Sequence, residues 1–434
     1  MTAINTRDPL PPDGMPGCAL PGTPLAGALP GINACVHCGF CLQACPTYLN
    51  LEDENDSPRG RIFLMRSLLE GTISPDDQSV HEHIDRCLGC RACEPVCPSG
   101  VPYGQLLEAT RATLLQSRRI PHVARLILAV FARPWALRPA MFFSRILAAT
   151  PIPTLMSGMR GRIGFAMAML ASTGRSIERS PYRASGTGER GTVASLRGCV
   201  MEGLFTQTNR ATERVLTMND YTVVEARGQQ CCGALHAHAG DLDSARELAR
   251  RNIAAFDGSG ASFVAVNAAG CGAAMKEYGH LLRDDAEWHE RAESFSARVR
   301  DVSEPLAAAG PKPGGSMAIR VTYDAPCHLQ HAQRITQAPY AVLAAIPGLE
   351  LIPLHDSDQC CGSAGIYNLI EPETSDAVLA PKLANIRAAG APFVATGNPG
   401  CLMQIGAGLV RDGIGARSIH PVDLLDASYA ALGQ

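Results

Sequence analysis

Two short cysteine runs constrain this chain more than any other feature. The first is Cys35-Val-His-Cys38-Gly-Phe-Cys41-Leu-Gln-Ala-Cys45-Pro46, and the second is Cys87-Leu-Gly-Cys90-Arg-Ala-Cys93-Glu-Pro-Val-Cys97-Pro98. Both fit C-x2-C-x2-C-x3-C-P, the bacterial pattern for a pair of iron–sulfur clusters. Two-residue spacers let three thiolates converge on three irons of one cubane. The fourth thiolate, one residue further on and turned by the proline, reaches the partner cluster. One [4Fe-4S] cluster then takes Cys35, Cys38, Cys41 and Cys97, and the other takes Cys87, Cys90, Cys93 and Cys45. Gly39 and Gly89 leave room for backbone close to sulfide. Structural zinc also favours thiolate pairs, but it wants four ligands per ion, often as two widely separated C-x2-C pairs. Two proline-terminated quartets fit clusters better.

Seventeen cysteines in 434 residues is a large number, and their use depends on the compartment. Met1–Leu10 carries Arg7 and Asp8 and lacks an apolar h-region, so it does not read as a signal peptide. Clustered thiols in a reducing cytosol are metal ligands rather than disulfides. The expected location is cytoplasmic, with a peripheral place on the inner face of the cell membrane as a further option. A net charge of −3 and 5% aromatic residues give no footprint for nucleic acid.

The length suits two or three domains, and the chain divides by character. Residues 1–30, rich in Pro and Gly, read as a mobile tail in which Cys18 is a plain thiol. Residues 31–118 hold the two cysteine runs, separated by an amphipathic helix from Pro58 to about Gly71, so a helical ferredoxin-like 2[4Fe-4S] domain is expected. Residues 119–190 form a helical connection and a polar linker. Within it Val123–Met169 is apolar but punctuated by Arg125, Arg133, Arg138, Arg145, Arg160 and Arg162. Basic, Trp-containing and Pro-interrupted, this segment suits a membrane face or a partner's surface; the simpler expectation is a buried interdomain helical hairpin.

From residue 191 short β-branched runs alternate with helical stretches, as in α/β units. Strands are expected at Thr192–Leu196, Tyr221–Ala226, Phe263–Asn267, Ala318–Tyr323, Leu349–Leu354 and Phe393–Thr396. Each is followed within a few residues by cysteine: Cys199, Cys231–Cys232, Cys271, Cys327, Cys360–Cys361 and Cys401. Open parallel sheets bind ligands beyond the carboxyl ends of their strands. The region is also a duplication. Cys199 precedes Cys231 by 32 positions and Cys327 precedes Cys360 by 33, while Cys232 to Cys271 is 39 and Cys361 to Cys401 is 40. Two copies of one Cys-Cys-Gly α/β unit, 191–312 and 313–434, related by a pseudo-two-fold, is the natural architecture. The fold class is therefore α+β multidomain: the helical cluster domain followed by two duplicated units with parallel strands. Four thiols per repeat suit one or two further Fe–S sites in all, although free cysteine also packs as a small hydrophobe. His236, His238, His328 and His331 lie near these cysteines and read as supporting or surface groups.

These residues resemble the glycolate oxidase iron–sulfur subunit family. The likeness rests on Cys35-Val-His-Cys38-Gly-Phe-Cys41 and Cys45-Pro46-Thr47-Tyr48, then Asp56-Ser57-Pro58-Arg59-Gly60-Arg61-Ile62. It continues through Asp85-Arg86-Cys87, Cys97-Pro98-Ser99-Gly100-Val101 and both Cys-Cys-Gly repeats. The resemblance implies an oxidoreductase in which a separate flavin subunit oxidises glycolate to glyoxylate and this chain carries electrons toward quinone or another membrane acceptor. The repeats alone are shared with heterodisulfide reductase, with the third subunit of anaerobic glycerol-3-phosphate dehydrogenase and with lactate-utilisation proteins. An electron-transfer subunit for D-lactate or glycerol-3-phosphate, or a heterodisulfide-reductase-like quinone or disulfide reductase, is the alternative. Repeats of the heterodisulfide type end in C-x2-C. Here the endings are Cys271-Gly-Ala-Ala274 and Cys401-Leu-Met-Gln404, which argues against disulfide chemistry. No G-x-G-x-x-G opens a βαβ unit, so no flavin or nicotinamide site is expected on this chain, and no catalytic residue either.

Overall fold

The computed structural model describes residues 18–117, 121–174, 177 and 180–433. It falls into two compact units. One comprises Met1–Gly89, Cys93–Ile120 and His238–Asp241; the other comprises Cys90–Ala92, Pro121–Ala237 and Leu242–Gln434.

Among its described residues the first unit is helical, as its sequence predicts. Its longest helices are Pro58–Leu69 and Tyr103–Leu114, with Gln78–Asp85 between them. Ser57 starts the first of these: its Oγ accepts the Gly60 N–H at 3.0 Å, and Pro58 occupies the first turn. Ile62, Met65, Leu68 and Leu69 then fall on one face at helical spacing and are buried with Val80, Ile84, Leu106 and Leu107. The expected tail is corrected here in part. Residues 1–17 lie outside the described residues, but Pro24–Gly27 and Leu29–Asn33 are helices whose Leu25, Leu29 and Ile32 enter this core. Three large apolar side chains outweigh the local Pro and Gly content. Cys18 packs, half-buried, against the same core.

The second unit begins with four helices, His122–Phe131, Pro134–Ala148, Ile152–Met156 and Gly161–Ala171. The buried-hairpin expectation fails at the second of them. Arg133 is extended ahead of Pro134, as a residue before proline prefers, and the first two helices turn through 104°. Pro134–Ala148 buries no residue at all. The last helix is packed in, with Phe165 and Ala168 against Leu383, Ile405 and Leu409, and His122–Phe131 buries Ala124 and Leu128. Among the described residues no single helix is long and apolar enough to cross a membrane. The linker beyond it lies along the repeats: Ile177 and Tyr182 pack on their core, and the Tyr182 hydroxyl donates to Asp426 Oδ1 at 2.7 Å.

Each repeat is a four-stranded parallel sheet. The first has order β2-β1-β3-β4 with β1 Thr192–Ser195, β2 Thr222–Val224, β3 Phe263–Val266 and β4 Val299–Asp301. The second has order β6-β5-β7-β8 with β5 Ile319–Tyr323, β6 Leu349–Ile352, β7 Phe393–Ala395 and β8 Arg417–Ile419. The six expected strands are present, each slightly shorter. Sequence reading missed β4 and β8, three-residue edge strands carrying Arg300, Asp301 and Arg417 in place of an apolar run. The pseudo-two-fold is visible in the packing. Helix Thr206–Met218, after β1, lies against Pro421–Ala430, after β8, while Ala338–Ala344, after β6's partner β5, lies against Ser303–Ala309, after β4. Val193, Val215 and Leu306 of one repeat share a core with Val321, Leu343 and Tyr429 of the other. Arg214 clamps Asp426 with two bonds of 2.8 Å across this seam.

His420, buried in the same seam, accepts the Val422 N–H at Nδ1 (3.1 Å) and places Nε2 2.9 Å from the Asn267 carbonyl oxygen. Burial pulls its pKa down to about 4. The unfolded chain therefore takes this proton first, so its contribution is full above about pH 6.5 and fades, by about 3 kcal/mol, as pH falls toward 4. Buried Asp301 runs the other way. Burial raises it to about 6, so it gains stability on acidification by a comparable amount. The two nearly cancel in the native chain. His420→Gln removes the acid loss at His420 and leaves the other groups as they are, so its urea midpoint should climb relative to wild type between pH 7 and 4.5, on the order of the His420 shift. Parallel pH profiles would contradict the assignment.

Candidate metal centres

The first cysteine run lies on the loop between Leu29–Asn33 and Pro46–Leu51, and the second follows Gln78–Asp85. The two loops repeat one backbone conformation. Two residues after the first cysteine, His37 has φ +54° and Gly89 +61°; one residue after the second cysteine, Gly39 has φ +88° and Arg91 +63°. Two left-handed residues per run curl each C-x2-C-x2-C around a centre. The glycine sits at a different one of the two positions in each loop, which is why no shared glycine marks them in the sequence. At Gly39 an added Cβ would also meet Arg59 Nη1 at 2.9 Å.

Cys35, Cys38, Cys41 and Cys97 line one small cavity that opens to the surface. Cys93 reaches its wall as well. Two thiols from the second run, Cys93 and Cys97, thus share a cavity with three from the first. Val36 and Phe40 flank it and are exposed, and Cys38 is the exposed thiol among these eight. Burial pushes the Cys41 thiol up to about 11, although the N–H groups of Arg59 and of Cys41 itself point at the sulfur. Such a thiol ionises at neutral pH only when a metal takes the charge. The donor type and the gathering of the thiols fit an iron–sulfur centre.

Cys45, Cys87 and Cys93 are buried close by, and Cys90 is buried too. Tyr103 points its hydroxyl at Cys87 Sγ (3.6 Å), and the Gly89 N–H lies 3.5 Å from the same sulfur. Burial and the Cys87 sulfur hold the Tyr103 phenol well above its usual range, so it stays a neutral donor. Beneath these thiols lies a charge cluster built by the Asp56-Ser57-Pro58-Arg59-Gly60-Arg61 segment. Arg61, wholly buried, donates to Asp56 Oδ1 (3.0 Å), Thr47 Oγ1 (3.0 Å) and the His83 carbonyl (2.7 Å). Asp56, also wholly buried, takes Arg86 on its other oxygen at 3.2 Å. Burial opposes the Arg61 charge, but Cys87, Tyr103, Cys45 and Asp56 together more than offset it and hold its pKa up. Two guanidinium groups against one carboxylate leave net positive charge beside Cys45 and Cys87, as anionic thiolates require. Gly60 is needed for contact: a Cβ there would sit 1.9 Å from the Glu54 carbonyl oxygen.

Each repeat gathers its four thiols at the carboxyl ends of three parallel strands, where β1 and β3, or β5 and β7, form the switch point of the sheet. In the first, Cys199, Cys231, Cys232 and Cys271 follow β1, β2 and β3 and form a hydrogen-bonded chain of sulfurs. Bonds from Cys199 and Cys232 lower Cys231, while those two thiols are raised. In the second, Cys327, Cys360, Cys361 and Cys401 do the same, with Cys361 and Cys401 3.4 Å apart. Hydrogen bonding among the thiols and burial raise Cys360, Cys361 and Cys401. Gly233 and Gly362, with φ near +84° and +83°, turn the chain after each cysteine pair. Asn398 ties the two tetrads together: its Oδ1 accepts the Gly270 N–H (3.2 Å), and its Nδ2 points at Cys401 Sγ (3.5 Å).

The position of an absent fifth cysteine is filled in each repeat. Gln404 is fully buried, accepting from Asn368 (2.8 Å) and donating to Ser375 (2.9 Å), and Ala274 packs on the apolar core. His328 Nδ1 lies 3.5 Å from Cys327 Sγ, whereas His236 and His331 turn to the carbonyls of Leu128 and Asp358. The tetrads also differ in a way sequence reasoning passed over. Asn252 and Lys382 each precede the last cysteine of their repeat by 19 positions. Asn252 bonds the Cys231 carbonyl at 2.9 Å, but Lys382 forms a buried ion pair of 2.5 Å with Asp324. Aligning the two repeats position by position could have exposed this exchange.

The family described as "4Fe-4S dicluster domain" matches residues 31–101, and "Cysteine-rich domain" matches twice, at 193–276 and 321–406. The "Probable glycolate oxidase iron-sulfur subunit" of Bacillus subtilis (strain 168) is 38% identical over 412 residues, 90% of this chain and 92% of its own. The chain belongs to the glycolate oxidase iron–sulfur subunit family. The "Glycolate oxidase iron-sulfur subunit" of Escherichia coli (strain K12) is 36% identical over 85% of this chain and 88% of its own. "Lactate utilization protein A" of Geobacillus kaustophilus (strain HTA426) is 29% identical but covers only 53% of this chain. As a glycolate oxidase iron–sulfur subunit family member, the chain is an iron–sulfur electron-transfer subunit with a dicluster domain and two cysteine-rich domains.

Proposed function

We propose that this chain relays electrons from a flavin-bearing partner subunit that oxidises glycolate to glyoxylate toward a quinone or other membrane acceptor. The observation that carries the reading is the cavity in which Cys35, Cys38 and Cys41 meet Cys97, with Cys93 at its wall. It supports the interleaved ligand sets, Cys35, Cys38, Cys41 and Cys97 for one centre and Cys87, Cys90, Cys93 and Cys45 for the other. Iron–sulfur centres supply one-electron storage and transfer, the step between a two-electron flavin and a distant acceptor.

The chain's own residues do the rest. Arg61 and Arg86 place positive charge beside Cys45 and Cys87, complementing the negative charge that metal-bound thiolates would carry. Tyr103 and the Gly89 N–H aim hydrogen bonds at Cys87, and such bonds tune the potential of a sulfur-held centre. Exposed Cys38 brings the first centre to the surface, where a partner can reach it. The two thiol tetrads of the repeats are read as sites for further Fe–S centres, with bonded Gln404 and Ala274 arguing against a five-thiolate, disulfide-reducing version.

The test is electron paramagnetic resonance on the anaerobically purified native complex. Glycolate, D-lactate and glycerol-3-phosphate would be added to separate samples. Glycolate alone should reduce the clusters. Reduction by one of the other substrates and not by glycolate would overturn the donor assignment while keeping the relay.

A further inference from the structure

Helix Pro134–Ala148 carries Trp135, Pro139, Phe142, Phe143 and Ile146 at helical positions i, i+4, i+7, i+8 and i+11, the spacing of a single face. Such a stripe normally faces a core. Here Trp135 is 75% exposed, Phe142 56%, Phe143 66% and Ile146 50%. The neighbouring helices add Leu126, Leu155 and Ile163, all exposed. Of 18 exposed large apolar side chains among the described residues, ten fall between 123 and 163, so this surface is a concentrated patch rather than the usual scatter.

Its charge is of one sign. The sequence has no Asp or Glu between Glu108 and Glu178, whereas Arg125, Arg133, Arg138, Arg160 and Arg162 are all exposed in this stretch. We propose that residues 122–163 are a docking surface for a bilayer containing anionic lipid, lying in the interface rather than crossing it. Exposed aromatic and aliphatic side chains with arginine alongside are the composition of interfacial helices. The charge complement is an anionic headgroup layer, which attracts each basic residue close to it. The geometry excludes a straight span. The helices of 10 and 15 residues rise about 15 and 22 Å, short of a hydrocarbon core of about 30 Å, and they bend by 104° where they meet. A protein seat would be expected to deplete charge at the centre of the patch, whereas Arg138 sits beside the aromatic stripe itself.

The inference goes beyond the relay reading and does not depend on it, because binding is measured with no electron donor present. The full chain, purified anaerobically with its iron–sulfur centres, would be sedimented with vesicles of phosphatidylcholine alone or mixed with phosphatidylglycerol. The mixed vesicles should retain it, and added salt should release it. Phe142→Glu/Phe143→Glu should weaken binding roughly a hundred-fold, and Arg138→Glu/Arg160→Glu should remove the preference for phosphatidylglycerol. Both variants should keep wild-type visible absorbance and circular dichroism, since these side chains are exposed. Failure of the native chain to bind either vesicle would overturn the proposal. So would unchanged vesicle binding in the phenylalanine variant accompanied by loss of the partner subunits from the complex, which would make this face a protein seat.

Discussion

Arg61→Ala should destabilise the first unit by about 3–5 kcal/mol, whereas Arg59→Ala, two residues away, should cost less than about 1 kcal/mol. The two arginines share one motif and one helix turn but not one environment. Arg59 pairs with Glu54 at 2.6 Å with both side chains partly in water, 31% and 49% exposed. Arg61 is 0% exposed and serves three separate acceptors. Removing it strands the Asp56 carboxylate with one buried oxygen unpaired from guanidinium, and takes a positive charge from Cys45 and Cys87. Arg61→Lys should recover little, because one ammonium cannot span Asp56, Thr47 and His83 at once. Urea unfolding followed by amide exchange on helix Pro58–Leu69 would read the difference. Equal costs for the two alanine variants would show that the buried charge cluster is not what holds this unit.

The second large effect is expected at Cys97. Cys97→Ala should abolish glycolate-dependent dye reduction by the complex while leaving reduction of the partner's flavin intact. Cys97 is far in sequence from the first run but lines the same cavity as Cys35, Cys38 and Cys41. Its loss therefore takes one of four thiols from the centre nearest the exposed Cys38, the point where electrons would enter. Cys18→Ala, at a half-buried thiol packed on apolar neighbours, should leave electron output unchanged. Full dye reduction by Cys97→Ala would remove this centre from the relay.

Much of this was legible in the residues because short spacings leave the backbone few choices. A C-x2-C-x2-C loop must curl its thiols together, and the six apolar β-branched runs, each closed by cysteine, could hardly be anything but parallel strands with sulfur at their carboxyl ends. What escaped reading depended on partners distant in sequence. Nothing local says that Arg61 is buried and Arg59 is not; that follows from Asp56, Thr47 and His83 converging on one side of the helix. Strands β4 and β8 are three residues long and charged, so they pair because β3 and β7 offer an edge, not because of their own composition. The apolar Pro134–Ala148 reads as core by hydrophobicity alone, and only three-dimensional packing shows its stripe left outside. Leu25, Leu29 and Ile32 make the converse case, core residues set among Pro and Gly.

The account rests on the two cysteine runs being interleaved around common centres, and one measurement addresses that directly: iron bound per chain in paired cysteine variants, purified anaerobically. Cys35→Ala/Cys97→Ala should lose no more iron than either single variant, because both residues serve one centre, whereas Cys87→Ala/Cys97→Ala should lose the iron of two. The reverse pattern, with Cys87 and Cys97 behaving as one site and Cys35 and Cys97 as two, would mean that each run holds its own cluster and would contradict the account.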